Sequence, residues 1–309
     1  MNLRLSFKFL LLSLSCITFF PICTAFSHSS SNLILDVTNR PTVALTQLLD
    51  CLSICHDGSL ESIINQTQKH WLRSPGKERW EGNDIHTDHS QSILFYAQQM
   101  GLVNEMLPLQ SYYKYALVFS YGTQGMFERI SYLIKLWHNN IRFEKIIFLT
   151  SDRLLDPVSE NVSSIINPHN KTLRFKSDWH TLDIPSLKTE DDMIKTIYDL
   201  AEMPDDLRKI PTIYIYSLSR TQNGQIRRAT TADQVLDWLA SDLTRGDCLF
   251  ISHQPFVTYQ DSVLKSYMPE TFGTLHTCGP ALNRAIPNLN FTILDTLARI
   301  LYQEKIRRK

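Results

Sequence analysis

The chain lacks an excess of either charge. Lys+Arg and Asp+Glu each number 31 among 309 residues, so the formal net charge is zero. A general nucleic-acid binder carries a basic surplus, and that class is excluded. The short basic tail Lys305-Ile306-Arg307-Arg308-Lys309 reads as a helix end, not a binding arm. Internal repeats and low-complexity tracts are absent, so solenoids and arrays are out as well. Cysteine is scarce. Beyond the first 25 residues only Cys51, Cys55, Cys248 and Cys278 remain, too few for a disulfide scaffold in so long a chain. Cys51 and Cys55 lie four apart on a predicted helix, which leaves both a bridge and free thiols open.

Several fingerprints are also missing. There is no three-glycine dinucleotide motif and no Gly-Lys-Ser/Thr P-loop. No serine sits in a Gly-x-Ser-x-Gly elbow, so a hydrolase triad is unsupported. The first predicted strand does not end in the aspartate of an aspartyl phosphatase. Asp84-Ile85-His86-Thr87-Asp88-His89 has metal-ligand residue types without metalloenzyme spacing, and no metal site is assigned. No cofactor is identified.

What is present reads as a globular protein, with 43% hydrophobic and 20% charged residues. Arg4 and Lys8 precede the apolar run FLLLSLSCITFF, and Pro21-Ile22-Cys23-Thr24-Ala25 follows. Charged, apolar and small-residue regions in that order describe a secretory signal over residues 1–25, cleaved after Ala25. The expected location is exported, periplasmic or secreted. The alternative is an uncleaved inner-membrane anchor over residues 9–26, the one membrane contact foreseen. Residues 26–40 read as a flexible mature N-terminus.

From 41 to 110 the periodicity is helical: TVALTQLLDCLSIC, SLESIINQTQKHWL and SILFYAQQMGLVNEML predict a helical segment packing on the core. From 111 to 309 strands and helices alternate. The strands are ALVFS (116–120), KIIFLT (145–150), TIYIYS (212–217), DCLFIS (247–252) and a weaker TLHTC (274–278). Continuously apolar strands belong to parallel sheets buried on both faces. The expected fold is α/β, a Rossmann-like doubly wound sheet of about five strands. The stretch from Asp152 to Leu187 is too long for a plain loop and is expected to cover a sheet edge or the ligand crevice.

Ligands of open parallel sheets bind outside the carboxyl ends of the strands. Four places follow: Ser120 to Gly125, Thr150-Ser151-Asp152-Arg153, Ser217-Leu218-Ser219-Arg220, and Ser252-His253-Gln254-Pro255. Gly122 and Gly125 serve a tight turn as readily as an anion cradle. Arg129, early in the following helix, has the planar fork that matches phosphate or carboxylate, or a surface salt bridge. Thr189-Glu190-Asp191-Asp192 and Thr231-Ala232-Asp233-Gln234 open helices, where capping explains such residues.

The order of these pieces, over about residues 112–285, resembles the YdcF/SanA/ElyC-like family of bacterial Rossmann-like domains. ALVFSYGTQGMFER looks like that family's first strand, loop and helix-starting arginine, here Arg129. Thr189-Glu190, followed by Met193, matches its Ser/Thr-Glu pair. Thr230-Thr231-Ala232-Asp233 looks like its Thr-x-x-Asn element, with Asp233 in the asparagine position. KIIFLTSDR has Ser151 and Asp152 where Ser-Gly-Gly is usual. DCLFISHQPFVTYQ keeps Ser252 but lacks His-x-x-Arg, offering His253, Gln254 and Tyr259. The resemblance implies a role in the cell envelope. A cytoplasmic member is linked to S-adenosylmethionine, a nucleotide that an exported chain would rarely meet, so that ligand is not carried over.

The expected function is binding of a small anionic or phosphorylated ligand at the strand ends. Ser120, Gly122, Gly125, Arg129, Ser151, Thr189, Thr230, Asp233 and Ser252 are the candidate ligand-binding residues, and Glu190, His253 and Asp152 the candidate acids and bases. Arg129→Ala is then expected to abolish binding with little change in melting temperature. A hydrolase or transferase of a phosphate-containing envelope metabolite, and a non-catalytic interaction protein, are the alternatives.

Overall fold

The computed structural model describes residues 33–74, 82, 84–167, 170–179, 186–222, 224–241, 244–269 and 271–307. The predicted signal over 1–25 and residues 26–32 of the expected flexible stretch lie outside these residues; of the remainder, Ile34 and Leu35 are buried in the helical core. The elements run in the order α1 (Val43–Cys51), α2 (Leu60–His70), α3 (Ser90–Gln99), β1 (Tyr112–Phe119), α4 (Thr123–His138), β2 (Arg142–Ser151), α5 (Val162–Ile165), α6 (Glu190–Leu200) and α7 (Asp205–Arg208). They continue with β3 (Thr212–Ser217), β4 (Arg220–Gln222), β5 (Gln225–Arg227), α8 (Thr231–Leu239), β6 (Cys248–Ile251), α9 (Val257–Tyr267), β7 (Leu275–Cys278) and α10 (Leu289–Arg307).

Five strands form an all-parallel sheet in the order β3-β2-β1-β6-β7. This is the expected α/β, Rossmann-like architecture. Successive side chains of a strand point to opposite faces, and here both faces are buried. Ala116, Val118, Ile146, Phe148, Leu249 and Ile251 meet Met126, Ile130 and Leu133 of α4 and Met193 and Ile197 of α6. Tyr115, Leu117, Phe119, Ile147, Leu149 and Phe250 face Val235 and Trp238 of α8 and Leu264 of α9. The apolar runs foreseen in sequence are therefore sheet interior. β1 and β2 begin four and three residues earlier than their apolar runs, because Tyr112 and Tyr113 still pair with Arg142 and Phe143 at the ladder's open end.

The chain steps outward from β1 through β2 to β3, then returns to β6 and β7 on the other side of β1. The switch point lies between β1 and β6, where an open α/β sheet presents its ligand crevice. The small antiparallel hairpin β4–β5 interrupts the return and has no counterpart among the expected strands. Its Arg-Thr-Gln and Gln-Ile-Arg strands carry no apolar run that marks them.

A second core is helical. Leu45, Leu48, Ile63 and Ile93 of α1 to α3 pack on Leu294, Leu297 and Leu301 of α10. The C-terminal helix thus joins the N-terminal helices, and residues 32–309 make one compact unit. Gln254 Nε2 ties the layers together by donating to the carbonyls of Gly101 and Asn104, both at 2.9 Å. The Asp152–Leu187 stretch returns alongside α6 through bridges at Leu154–Thr189 and Phe175–Ala201. It buries Ile165 and Leu173 against α4 and α6, and sends Glu160 towards the strand ends. Cys51, Cys55, Cys248 and Cys278 are free thiols, the last two buried. No helix among the described residues is long and apolar enough to cross a membrane.

Candidate functional site

At the switch point the chain fills its own notch. Met126, Arg129, Ile130 and Leu133 follow the i, i+3, i+4, i+7 spacing of a buried helix face, so Arg129 points into the sheet end and has no exposed surface. Its Nη1 donates to the carbonyls of Phe119 at 2.6 Å and Ser120 at 2.9 Å. Its Nε donates to His253 Nδ1 at 2.9 Å, and Nη2 reaches Ser252 Oγ at 3.5 Å. A buried guanidinium needs such a set of acceptors. An arginine N–H only donates, so Nδ1 of His253 accepts and the ring proton sits on Nε2.

The Tyr121 ring covers this cluster, 5.3 Å from the Arg129 guanidinium carbon and edge-on to His253 at 4.7 Å. Gly125 makes that approach possible: a Cβ there would strike the Tyr121 ring and come within 2.8 Å of His253 Cε1. Gly122 caps α4 at an ordinary φ of −62°, and a Cβ would sit 3.1 Å from Glu160 Oε1.

Beside the plugged notch, a crevice of about 180 Å³ opens over the ends of β1 and β2. From the end of β1 come Ser120, Tyr121 and Gly122. From the end of β2 come Ser151 and Arg153, with Glu190 at the first position of α6. Ser151 Oγ donates to Glu190 Oε2 at 2.6 Å, and Arg153 Nε donates to Glu190 Oε1 at 3.1 Å. The Arg153 fork also grips Glu160 through Nη1 and Nη2 at 2.6 and 2.8 Å. Burial disfavours the Arg153 charge, but Glu160 and Glu190 outweigh it and hold the guanidinium above its ordinary pKa.

The start of α8 supplies Arg228, Thr230, Thr231 and Gln234. Thr230 and Asp233 form a capping box. Asp233 additionally accepts from Arg227 and Arg220, so the hairpin β4–β5 is latched to this helix end. Burial alone would raise the Asp233 carboxyl; hydrogen bonds from Arg227 and Thr230 overcome it and lower the pKa from 3.8 to about 2. Gln234 Nε2 donates to Ser120 Oγ at 2.7 Å.

The far wall belongs to α9 and the helical layer. Phe256, Tyr259 and Gln260 share one face at i, i+3 and i+4, and Arg73 and Arg299 enter from beyond the end of α2 and from α10. Asp295, fully buried, fixes both by accepting from the Arg73 backbone N–H at 3.1 Å and the Arg299 fork at 2.9 and 3.1 Å. Among the described lining residues the charged groups are four arginines and one carboxylate, Glu190.

Of the residues expected from sequence, Ser120, Gly122, Ser151, Glu190 and Thr230 meet at this crevice. Arg129, His253 and Ser252 lie together behind it in the switch-point plug, with Gly125 making room for that cluster. Thr189 caps α6 in a box with Asp192, and Asp233 caps α8. Asp152 accepts from Ser219 N and Oγ at 2.8 and 2.7 Å, joining the end of β2 to the β3–β4 turn. Arg73, Arg153, Arg228, Arg299 and Gln234 were not foreseen as site residues. Arg153 stands within the strand-end quartet already nominated, and Arg228 just before a helix cap. Arg73 and Arg299 arrive only through tertiary packing and leave no local signal.

Fold and crevice together define a Rossmann-like α/β protein with an arginine-lined crevice at the strand ends, two of its four arginines supplied by the helical layer. Compared with protein-family models, curated proteins and solved structures, the chain gives no match.

Proposed function

We propose that the chain binds a small phosphorylated ligand in this crevice. The observation that carries the reading is the convergence of four arginines on one site from separate elements: Arg153 after β2, Arg228 before α8, Arg73 after α2 and Arg299 on α10. Guanidinium forks match phosphate and carboxylate oxygens. The forks of Arg153 and Arg299 already hold Glu160, Glu190 and Asp295, so these two add positive charge to the lining rather than open donors, and the summed charge favours an oxyanion. Ser120, Ser151, Thr230 and Thr231 add hydroxyls on the same lining. Following the resemblance to the YdcF/SanA/ElyC-like family, the ligand belongs to the cell envelope, and the N-terminal signal delivers the chain there.

Calorimetric titration with inorganic phosphate and with phenyl phosphate tests the reading. Saturable binding that weakens at least tenfold in Arg228→Ala and falls as salt rises is the expected result. Equal heats from the wild type and the variant would remove it. N-terminal sequencing of the protein recovered from an exporting bacterial host tests the signal, with a new terminus after Ala25 as the expected outcome.

A second reading, hydrolysis or transfer of a phosphate ester, is favoured by one contact. Ser151 Oγ, in the crevice, donates to Glu190 at 2.6 Å, the geometry of a hydroxyl beside a general base. Turnover of phenyl phosphate that disappears in Glu190→Gln would support it.

A further inference from the structure

The crevice has a second chemical character, which says what the phosphate is attached to. Besides its arginines the crevice is lined by aromatic rings. Phe256, the cap of α9, and Tyr259 on its first turn line the crevice, and Tyr121 leans on Phe256 with ring centroids 5.2 Å apart and an angle of 36°. Gly125 is the residue whose missing side chain lets Tyr121 adopt this position. Gln260 sits in the same wall. It is 5% exposed, and its amide oxygen has no hydrogen-bond partner among the described residues. Such an orphaned acceptor is uncommon in a folded interior. The oxygen is enclosed, but rotation about the last torsion of a glutamine is soft and turns either end of the amide towards a ligand.

We infer that the ligand is a phosphate monoester of a ring-bearing alcohol, its phosphate among the arginines and its ring against Tyr121, Phe256 and Tyr259. A hydrogen-bond donor on the ring meets Gln260. The volume sets the scale. About 180 Å³ is smaller than the roughly 300–1,000 Å³ typical of sites for drug-sized molecules. One ring and one phosphate suit that space better than a dinucleotide. Open-chain phosphates satisfy the arginines and leave the wall unused. Aromatic groups gain from ring contacts beyond the area they bury.

This inference rests on the phosphate-binding reading, and the experiment separates the two. Glycerol phosphate, phenyl phosphate and 4-hydroxyphenyl phosphate are titrated into the wild type, Tyr259→Leu and Gln260→Leu. Thermal melts confirm that each variant is folded. Phenyl phosphate is expected to bind roughly tenfold tighter than glycerol phosphate, and the ring hydroxyl to tighten it further. Tyr259→Leu keeps the apolar bulk, so it should erase the ring preference, phenyl phosphate and glycerol phosphate then binding alike. Gln260→Leu should erase only the gain from the hydroxyl. If all three phosphates bind alike, the ring inference is overturned and the phosphate site stands. A preference for the ring without a gain from its hydroxyl overturns the part given to Gln260. If none binds, the underlying reading fails.

Discussion

Arg129 Nε donates to His253 Nδ1 across 2.9 Å, in a cluster sealed from solvent. The helix that follows β1 is thereby stitched to the end of β6, and β1 itself is held through the carbonyls of Phe119 and Ser120. In many sheets of this kind the switch point is where a ligand enters. Here a side chain of the protein occupies it, and the open crevice is displaced towards β2, α8 and the helical layer.

The first prediction concerns that stitch. Arg129→Met keeps most of the apolar stem and deletes every donor, leaving two carbonyls and an imidazole nitrogen unmatched in the interior. Each buried polar group left unmatched costs about 1–3 kcal/mol. Urea unfolding should register a loss of that order, with phenyl phosphate binding retained under folding conditions. Burial is the reason this differs from the expectation drawn from sequence, in which Arg129→Ala spares stability and abolishes binding. Unchanged stability with lost binding would return Arg129 to the ligand.

Gly122, the cap of α4, and Gly125, within its first turn, should respond differently to the same change. Gly125→Ala gains about 1 kcal/mol of helix propensity, but its new methyl meets the Tyr121 ring and His253 Cε1. Overpacking of this kind costs about 1–3 kcal/mol, and the clash should win. Gly122→Ala meets only the far end of the Glu160 side chain, at 3.1 Å, and a shift of a few tenths of an ångström relieves it. Paired thermal melts should show Gly125→Ala clearly lowered and Gly122→Ala close to the wild type.

How much of this was legible in sequence depends on whether the signal is local. Val118, Phe148 and Phe250 sit in apolar runs bounded by polar strand ends, so the parallel sheet and its ligand-facing edge could be read directly. The cap at Thr189 was equally visible, because a cap is a contact over three residues; at α8 the box expected from Thr231 and Gln234 sits one residue earlier, on Thr230 and Asp233. Arg129 was visible as an arginine near a helix start. Its burial was also encoded, in the spacing with Met126, Ile130 and Leu133, but an arginine on an apolar stripe is easily assigned to solvent. Arg73 and Arg299 could not be found in this way. Their place depends on Asp295 and on α10 packing against α1 to α3, a contact across more than two hundred residues.

Asp233 makes stability pH-dependent in a defined window. Its carboxyl titrates at about 2 in the folded chain against 3.8 in the unfolded one. A lowered carboxyl stabilises the fold above the unfolded value, and that contribution is lost as pH falls through the folded one. After allowance for solvent screening it is worth about 1–2 kcal/mol at neutral pH. Asp233→Asn should therefore be less stable than the wild type at pH 6 by about that amount. The gap should close between pH 4 and pH 2, measured by chemical unfolding along a pH series. A gap that persists at pH 2 would mean the asparagine perturbs the cap sterically rather than through charge.

Glu190 separates a binding site from a catalytic one. It is the only carboxylate among the described lining residues, and it opposes an incoming anion. Neutralising it in Glu190→Gln removes that repulsion. Two unit charges about 6 Å apart at an effective dielectric near 20 interact by about 3 kcal/mol before salt screening, so a gain of roughly three- to tenfold in phosphate affinity is expected. The same change weakens the hold on Ser151 and Arg153, and the melting temperature should fall. In a pure binding site those two effects are the whole response: tighter phosphate and a softer fold. In an esterase or phosphotransferase, Glu190 takes the proton from the attacking group, and the variant that binds better turns over at least about a hundredfold more slowly. Affinity and turnover measured on the same preparation therefore distinguish the readings, because electrostatics moves the first upward whether or not the second exists.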